Sequence, residues 1–170
     1  MINIIKEMNF IKISIVIFLA LAASRFMPHA PNFTSLIALS FYVPLIFGIK
    51  FLPILLLSFV ITDLFIGYHS VALFTWGSVI FIGLISKYFS NSILKRLLGA
   101  LGGVFIFYFI TNFGVWSLGS YGYTFSGLIN CYIVAIPFFG NTIFSTIIYS
   151  SIIEMLLKYF RLNNFKKHQT

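Results

Sequence analysis

A chain of 170 residues that is 60% hydrophobic and only 8% charged carries too much apolar surface for a water-soluble domain, in which about 25% of residues are charged. Its formal charge of +8 does not mark a nucleic-acid binder, because the basic residues lie between and beyond the apolar runs, where they act as topology signals. Cys131 is the single cysteine, which excludes an intrachain disulfide and a cysteine-cluster metal site.

The apolar stretches are continuous rather than alternating, so the backbone polar groups are expected to be satisfied in a helix bundle and not in a closed barrel. The first run covers residues 10–23, behind Lys6 and Lys12. That basic lead, the apolar residues 13–21 and Ala20-Leu21-Ala22 also resemble a cleavable signal peptide; an uncleaved first helix is the commoner arrangement in multispan proteins and is the one expected here. Runs at 33–47, 51–66, 71–86 and 97–116 follow, then 125–137 and 142–160, seven in all. Several fall short of the roughly 20 residues of a full crossing.

Charge selects the run that does not cross. With six crossings, ten of the eleven Lys and Arg residues fall on one side: Lys6, Lys12, Lys50, Lys87, Lys95, Arg96, Lys158, Arg161, Lys166 and Lys167. Arg25 is left on the other. This is the cytoplasmic excess of basic residues that orients membrane proteins. The run at 125–137 is the exception, since it is short, holds Asn130, and ends at Pro137 with Gly140 and Asn141 after it. It reads as a re-entrant or half-helix segment before the last helix. The expected fold is an all-α, six-transmembrane-helix bundle, N-in/C-in, forming one domain over residues 1–170 with a basic cytoplasmic tail at 161–170.

This orientation collects polar residues on the outer side. Arg25, His29 and Asn32 follow the first helix, and Asp63 and His69 flank the end of the third. A carboxylate inside an apolar helix is costly and marks a site or a pair. Asp63 either forms a structural ion pair with Arg25 or lines a polar pocket with it, where the planar guanidinium suits a ligand carboxylate or phosphate. Pro28 and Pro31 stiffen the intervening loop, and Asn32 is expected to cap the second helix. His29, Asp63 and His69 lack metal-ligand spacing, so the histidines read as interfacial. A second, uncharged wall is expected from Asn112, Trp116 and Asn141, because buried amides want partners and tryptophans anchor at membrane interfaces. On the inner side, Glu154 and Lys158 have the order of a helical i, i+4 ion pair, and Gly99 and Gly103 fit a close helix contact.

Motifs for a zinc hydrolase, a serine nucleophile or a phosphate-cradling loop are missing. No catalytic residue, metal or cofactor is therefore expected, and energy for transport would come from a partner or an ion gradient.

The run Ala23-Ser24-Arg25-Phe26-Met27-Pro28-His29-Ala30-Pro31-Asn32-Phe33-Thr34, the segment around Asp63-Leu64-Phe65-Ile66-Gly67, the stretch Ile110-Thr111-Asn112-Phe113-Gly114-Val115-Trp116, and Pro137-Phe138-Phe139-Gly140-Asn141-Thr142 together resemble an uncharacterised bacterial family of membrane transport proteins, a domain of unknown function. That family in turn looks like the substrate-binding S components of energy-coupling factor (ECF) transporters. The resemblance implies a six-helix fold with both termini in the cytoplasm and a first loop that helps cover the ligand. It also implies a transmembrane coupling protein and two cytoplasmic ATPases as partners. Met1-Ile2-Asn3 lacks the N-terminal histidine of the metal-importing members, and Ala20 and Ser24 are the nearest approach to an Ala-x-x-x-Ala coupling motif.

The expected function is a substrate-binding subunit in the bacterial cytoplasmic (inner) membrane, taking up a small, polar, vitamin-like nutrient from the outer side. Arg25, His29, Asn32, Asp63, His69, Asn112, Trp116 and Asn141 form its site. The alternatives are a structural or assembly membrane protein, and a standalone ion-coupled carrier with Asp63 as the coupling carboxylate.

Overall fold

A computed structural model describes residues 9–90 and 92–167, with side chains as far as Phe160. Lys6 and Met1-Ile2-Asn3 lie outside the described residues, as do the side chains of Arg161, Lys166 and Lys167. The described residues are helical apart from short connections. The elements are α1 (Phe10–Phe26), α2 (Leu36–Phe47), α3 (Leu52–Ile66), α4 (Ala72–Ile85), α5 (Ile93–Ser117), α6 (Phe125–Val134) and α7 (Ile136–Lys167). Single 3-10 turns precede α3 (Ile49–Phe51) and extend α4 (Ser86–Phe89).

Four stretches, Ile49–Ile66, Ala72–Phe89, Ile93–Ser117 and Ile136–Phe160, are long and apolar enough to cross a membrane. By contrast α6, with 10 residues, reaches only about 15 Å, half the hydrocarbon thickness of a bilayer. It joins α7 across Ala135 alone.

Local chemistry sets the boundaries. Asn9 Oδ1 accepts the Ile11 N–H at 2.8 Å and opens α1, while Ser92 and Thr124 cap α5 and α6 in the same manner. Helices α2 and α3 stop at Gly48 (φ 95°) and Gly67 (φ 136°), where the backbone enters a region that side chains disfavour.

The core is organised around α2, which packs against α1, α3, α4, α5 and α7. Leu36, Ile37, Ala38, Phe41, Tyr42 and Val43 are all buried, as expected of a helix that is apolar all round and enclosed by others. Helix α1 lies on α3 through Ile13, Ile17 and Leu21, one per turn along a single face. Ala20 is exposed, whereas Ser24 is buried and bonded to Ser35, so these two do not form a shared outward surface. Gly99 and Gly103 are used within the chain. A Cβ on Gly99 would meet Phe41 at 2.6 Å and Phe89 at 2.7 Å, and one on Gly103 would meet Ile82 at 3.1 Å.

The ion pair expected between Glu154 and Lys158 is not the one that forms. Glu154 does not depend on Lys158; Arg96 grips it in bidentate fashion at 2.6 and 2.7 Å, and the Tyr42 hydroxyl donates to it at 2.9 Å. This cluster ties α2, α5 and α7 together at the end where Lys50, Lys87, Lys95 and Lys158 also lie. A guanidinium fork offers two aligned hydrogen bonds, which a flexible ammonium one helical turn away does not match.

Candidate functional site

At the opposite end of the bundle, the last turns of α1, α3 and α5 meet the first turns of α2, α4 and α7, with α6 packed on α5. Arg25, in the last turn of α1, is the one Lys or Arg here among the described residues. Its Nη2 donates to Asp63 Oδ1 at 2.6 Å and its Nη1 to Thr62 Oγ1 at 2.9 Å, while the guanidinium carbon sits 4.5 Å from the centroid of the Phe59 ring. The other carboxylate oxygen of Asp63 accepts the indole N–H of Trp76 at 2.8 Å. Asp63 is 1% exposed and both its oxygens are engaged, so the pair fastens α1, α3 and α4 and leaves no free carboxylate for a ligand. Trp76 is a partner that sequence reasoning missed, because an indole in an apolar run carries no signal beyond that of an interface anchor.

The loop between α1 and α2 folds over this end. Ser24 and Ser35 hydroxyls meet at 2.7 Å, and Asn141 on α7 donates to the Pro31 carbonyl at 3.0 Å. The expected capping role of Asn32 is not observed: α2 begins at Leu36 with Ser35 at the cap position, and Asn32 sits in the loop at φ 62°. Asparagine is among the few residues that adopt this left-handed conformation readily. The Ser24–Ser35 contact fixes the helix start three residues later than composition suggests.

Two cavities open beneath the loop. The larger, about 330 Å³, is walled by α4, α5, α6 and α7 and includes Thr75, Phe107, Tyr108, Thr111, Asn112, Cys131 and Thr142, with Asn32 and His69 at its loop side. The smaller, about 200 Å³, includes Arg25, His29, Thr34 and Phe59. Asn32, His69, Thr75, Phe107 and Thr142 line both, so the cavities adjoin.

Of the residues expected at a site, Arg25, His29, Asn32, His69 and Asn112 border cavity space. Asp63, Trp116 and Asn141 do not line either cavity. Trp116 donates to the Thr124 carbonyl at 3.1 Å and braces the α5–α6 connection, and Asn141 latches the loop. The ring nitrogens of His29 lie against the Ala30 and Arg25 carbonyls at 2.7 and 3.3 Å. His69 Nδ1 is buried with no protein partner. His29, Asp63 and His69 do not converge, and among the described residues no three His, Cys, Asp or Glu side chains form a metal-binding group. Sequence reasoning missed Thr75, Thr111 and Thr142; threonines inside apolar helices usually bond their own backbone, and nothing local separates a lining threonine from the rest.

Comparison with curated proteins found no match, and neither did comparison with solved structures. A family model described as a family of unknown function (DUF6580) matches residues 6–168, nearly the whole chain, and the chain belongs to that family.

Proposed function

We propose that this protein is the substrate-binding membrane subunit for uptake of a small polar nutrient in the bacterial inner membrane, working with a separate ATP-driven coupling module. The chain crosses six times, through α1 to α5 and α7, with the cavities outward and the basic end in the cytoplasm. Helix α2 is short for a crossing, at about 18 Å, but neighbouring helices rather than lipid enclose it. The observation that carries this reading is the pair of adjoining cavities, about 330 and 200 Å³, at the end opposite the basic residues. Small-molecule sites are concave, mostly apolar and furnished with a few convergent polar groups, starting at about 300 Å³.

The chain performs no catalytic step in this proposal. The ion-coupled alternative loses its candidate group, since both oxygens of Asp63 are held by Arg25 and Trp76. The structural alternative draws on that same satisfied pair, but gives no role to the lined cavities. Native mass spectrometry of gently extracted protein is the test. A retained small molecule, with coupling subunits in the same complex, is expected. Protein that retains nothing, together with normal growth of a deletion strain under every nutrient limitation, would refute the proposal.

A further inference from the structure

The chemistry of the ligand can be narrowed from the way the cavity walls spend their hydrogen-bond donors, an inference that rests on the cavity being a ligand site. Six wall residues carry a side-chain hydrogen whose acceptor is visible, and in each case it is a main-chain carbonyl. Thr75 donates to Ala72, Thr111 to Phe107 and Thr142 to Phe138, each at 2.8 Å. Tyr108 donates to Tyr132 at 2.5 Å, the Asn112 amide to Tyr108 at 2.8 Å, and the Cys131 thiol to Asn112 at 3.3 Å.

The oxygen lone pairs remain. A hydroxyl that has donated its hydrogen still accepts through two lone pairs, and an amide that has donated from nitrogen still presents its carbonyl. The only side-chain contact of Asn112 Oδ1 is the Cys131 sulfur at 4.0 Å, too long for a strong bond. The inner walls therefore offer acceptors: Thr75, Thr111, Thr142 and Asn112. Fewer donors are left: the second N–H of the Asn112 amide, the His69 ring, whose buried Nδ1 has no protein partner, and, at the exposed edge, Asn32 and Tyr121.

Charge points the same way. The larger cavity is lined by no Lys, Arg, Asp or Glu, and the guanidinium bordering the smaller one is already matched by Asp63. An anionic ligand would thus lose its hydration without gaining a free Lys or Arg, and would meet more acceptors than donors, which is the costly case for a buried charge. A ligand with N–H groups finds acceptors, and an apolar or aromatic body finds Phe107, Phe138 and Phe139. We propose that the cavity takes a non-anionic molecule bearing amine or amide N–H donors, and that it rejects carboxylates and phosphates.

The test uses three probes of one shape on detergent-purified full chain at pH 7: phenethylamine, 3-phenylpropionamide and 3-phenylpropionate. Thermal unfolding by circular dichroism reports binding, and alkylation of Cys131, the single cysteine, reports whether the probe occupies this cavity. At about 10 mM the amine and the amide are expected to raise the midpoint by about 2 °C or more and to slow alkylation, while the carboxylate does neither. Thr111→Val keeps the wall's shape, loses one acceptor, and should weaken amine binding about three- to tenfold; Thr142→Val serves if that variant is unstable. Asn112→Asp should strengthen amine binding over amide binding. Protection by the carboxylate equal to that by the amine overturns the proposal, and so does protection by none of the three. A nutrient retained in native mass spectra alongside either result leaves the binding-subunit reading standing and rejects only the ligand class.

Discussion

Replacing Asp63 with asparagine separates a structural fastening from a ligand contact. The carboxylate is 1% exposed and its partner Arg25 is 12% exposed, so the change leaves a nearly buried guanidinium without its counter-charge. Breaking a buried pair from one side costs about 3–5 kcal/mol. Arg25 borders the smaller cavity, through which water can reach it, and asparagine keeps an oxygen for Trp76; both place the expected cost at the low end, about 3 kcal/mol. In a chain of this length 1 kcal/mol corresponds to about 2–4 °C, so the unfolding midpoint should fall by about 6–12 °C. The double variant Arg25→Met with Asp63→Leu should recover more than half of that loss, because apolar replacement of both partners is usually tolerated. The assay is thermal unfolding in detergent, paired with native mass spectrometry for retained small molecule. If Asp63→Asn keeps its midpoint within about 2 °C yet loses the retained molecule, the carboxylate is a ligand group and the structural assignment is wrong.

Three further outcomes follow from the same geometry. Arg96→Ala should destabilise by about 3 kcal/mol or more, whereas Lys158→Ala should stay within about 0.5 kcal/mol, since Glu154 is held by Arg96 and Tyr42; equal effects in chemical denaturation would reject this assignment. Gly99→Ala should cost about 1–3 kcal/mol because its Cβ would press on Phe41 at 2.6 Å, while Gly102→Ala, with nothing within 4 Å, should be neutral or stabilising; a reversed order in unfolding midpoints would count against the packing described. Asn141→Ala removes the latch on Pro31 and should cost no more than about 1.5 kcal/mol while speeding Cys131 alkylation several-fold. Unchanged alkylation would mean that the loop does not control access.

The helices were legible in the sequence because their signals are local. Runs of apolar residues end at Gly48, Gly67 and the glycines after Ser117, and each break acts through the backbone of its own neighbourhood. Partners were legible only where charge left a single choice. Arg25 could be matched to Asp63 because, among the described residues, no other Lys or Arg falls at that end. Glu154 had a plausible partner four residues away and a better one 58 residues away, and the local rule selected the wrong one. Asn32 has a capping residue's chemistry, but the tertiary contact between Ser24 and Ser35 moved the helix start past it. The cavity walls were the least legible part. Thr75, Thr111 and Thr142 are ordinary members of apolar helices until the fold brings α4, α5 and α7 around one space.

Both carboxylates among the described residues are used alike. Asp63 takes an arginine and an indole N–H at one end, and Glu154 takes an arginine and a phenol at the other. Each cluster joins three helices, α1, α3 and α4 in the first and α2, α5 and α7 in the second. Because an ion pair with its remaining lone pairs satisfied tolerates burial better than a lone charge, the bundle can hold these groups without leaving either carboxylate unpaired. What remains for the larger cavity is uncharged surface. In the proposed ligand site, discrimination would rest on shape and on which side of each hydrogen bond the protein has left open. A wall richer in acceptors than donors would, on that proposal, disfavour an acceptor ligand by leaving its lone pairs unpaired in a dry site, a penalty that falls on every bond the ligand cannot make.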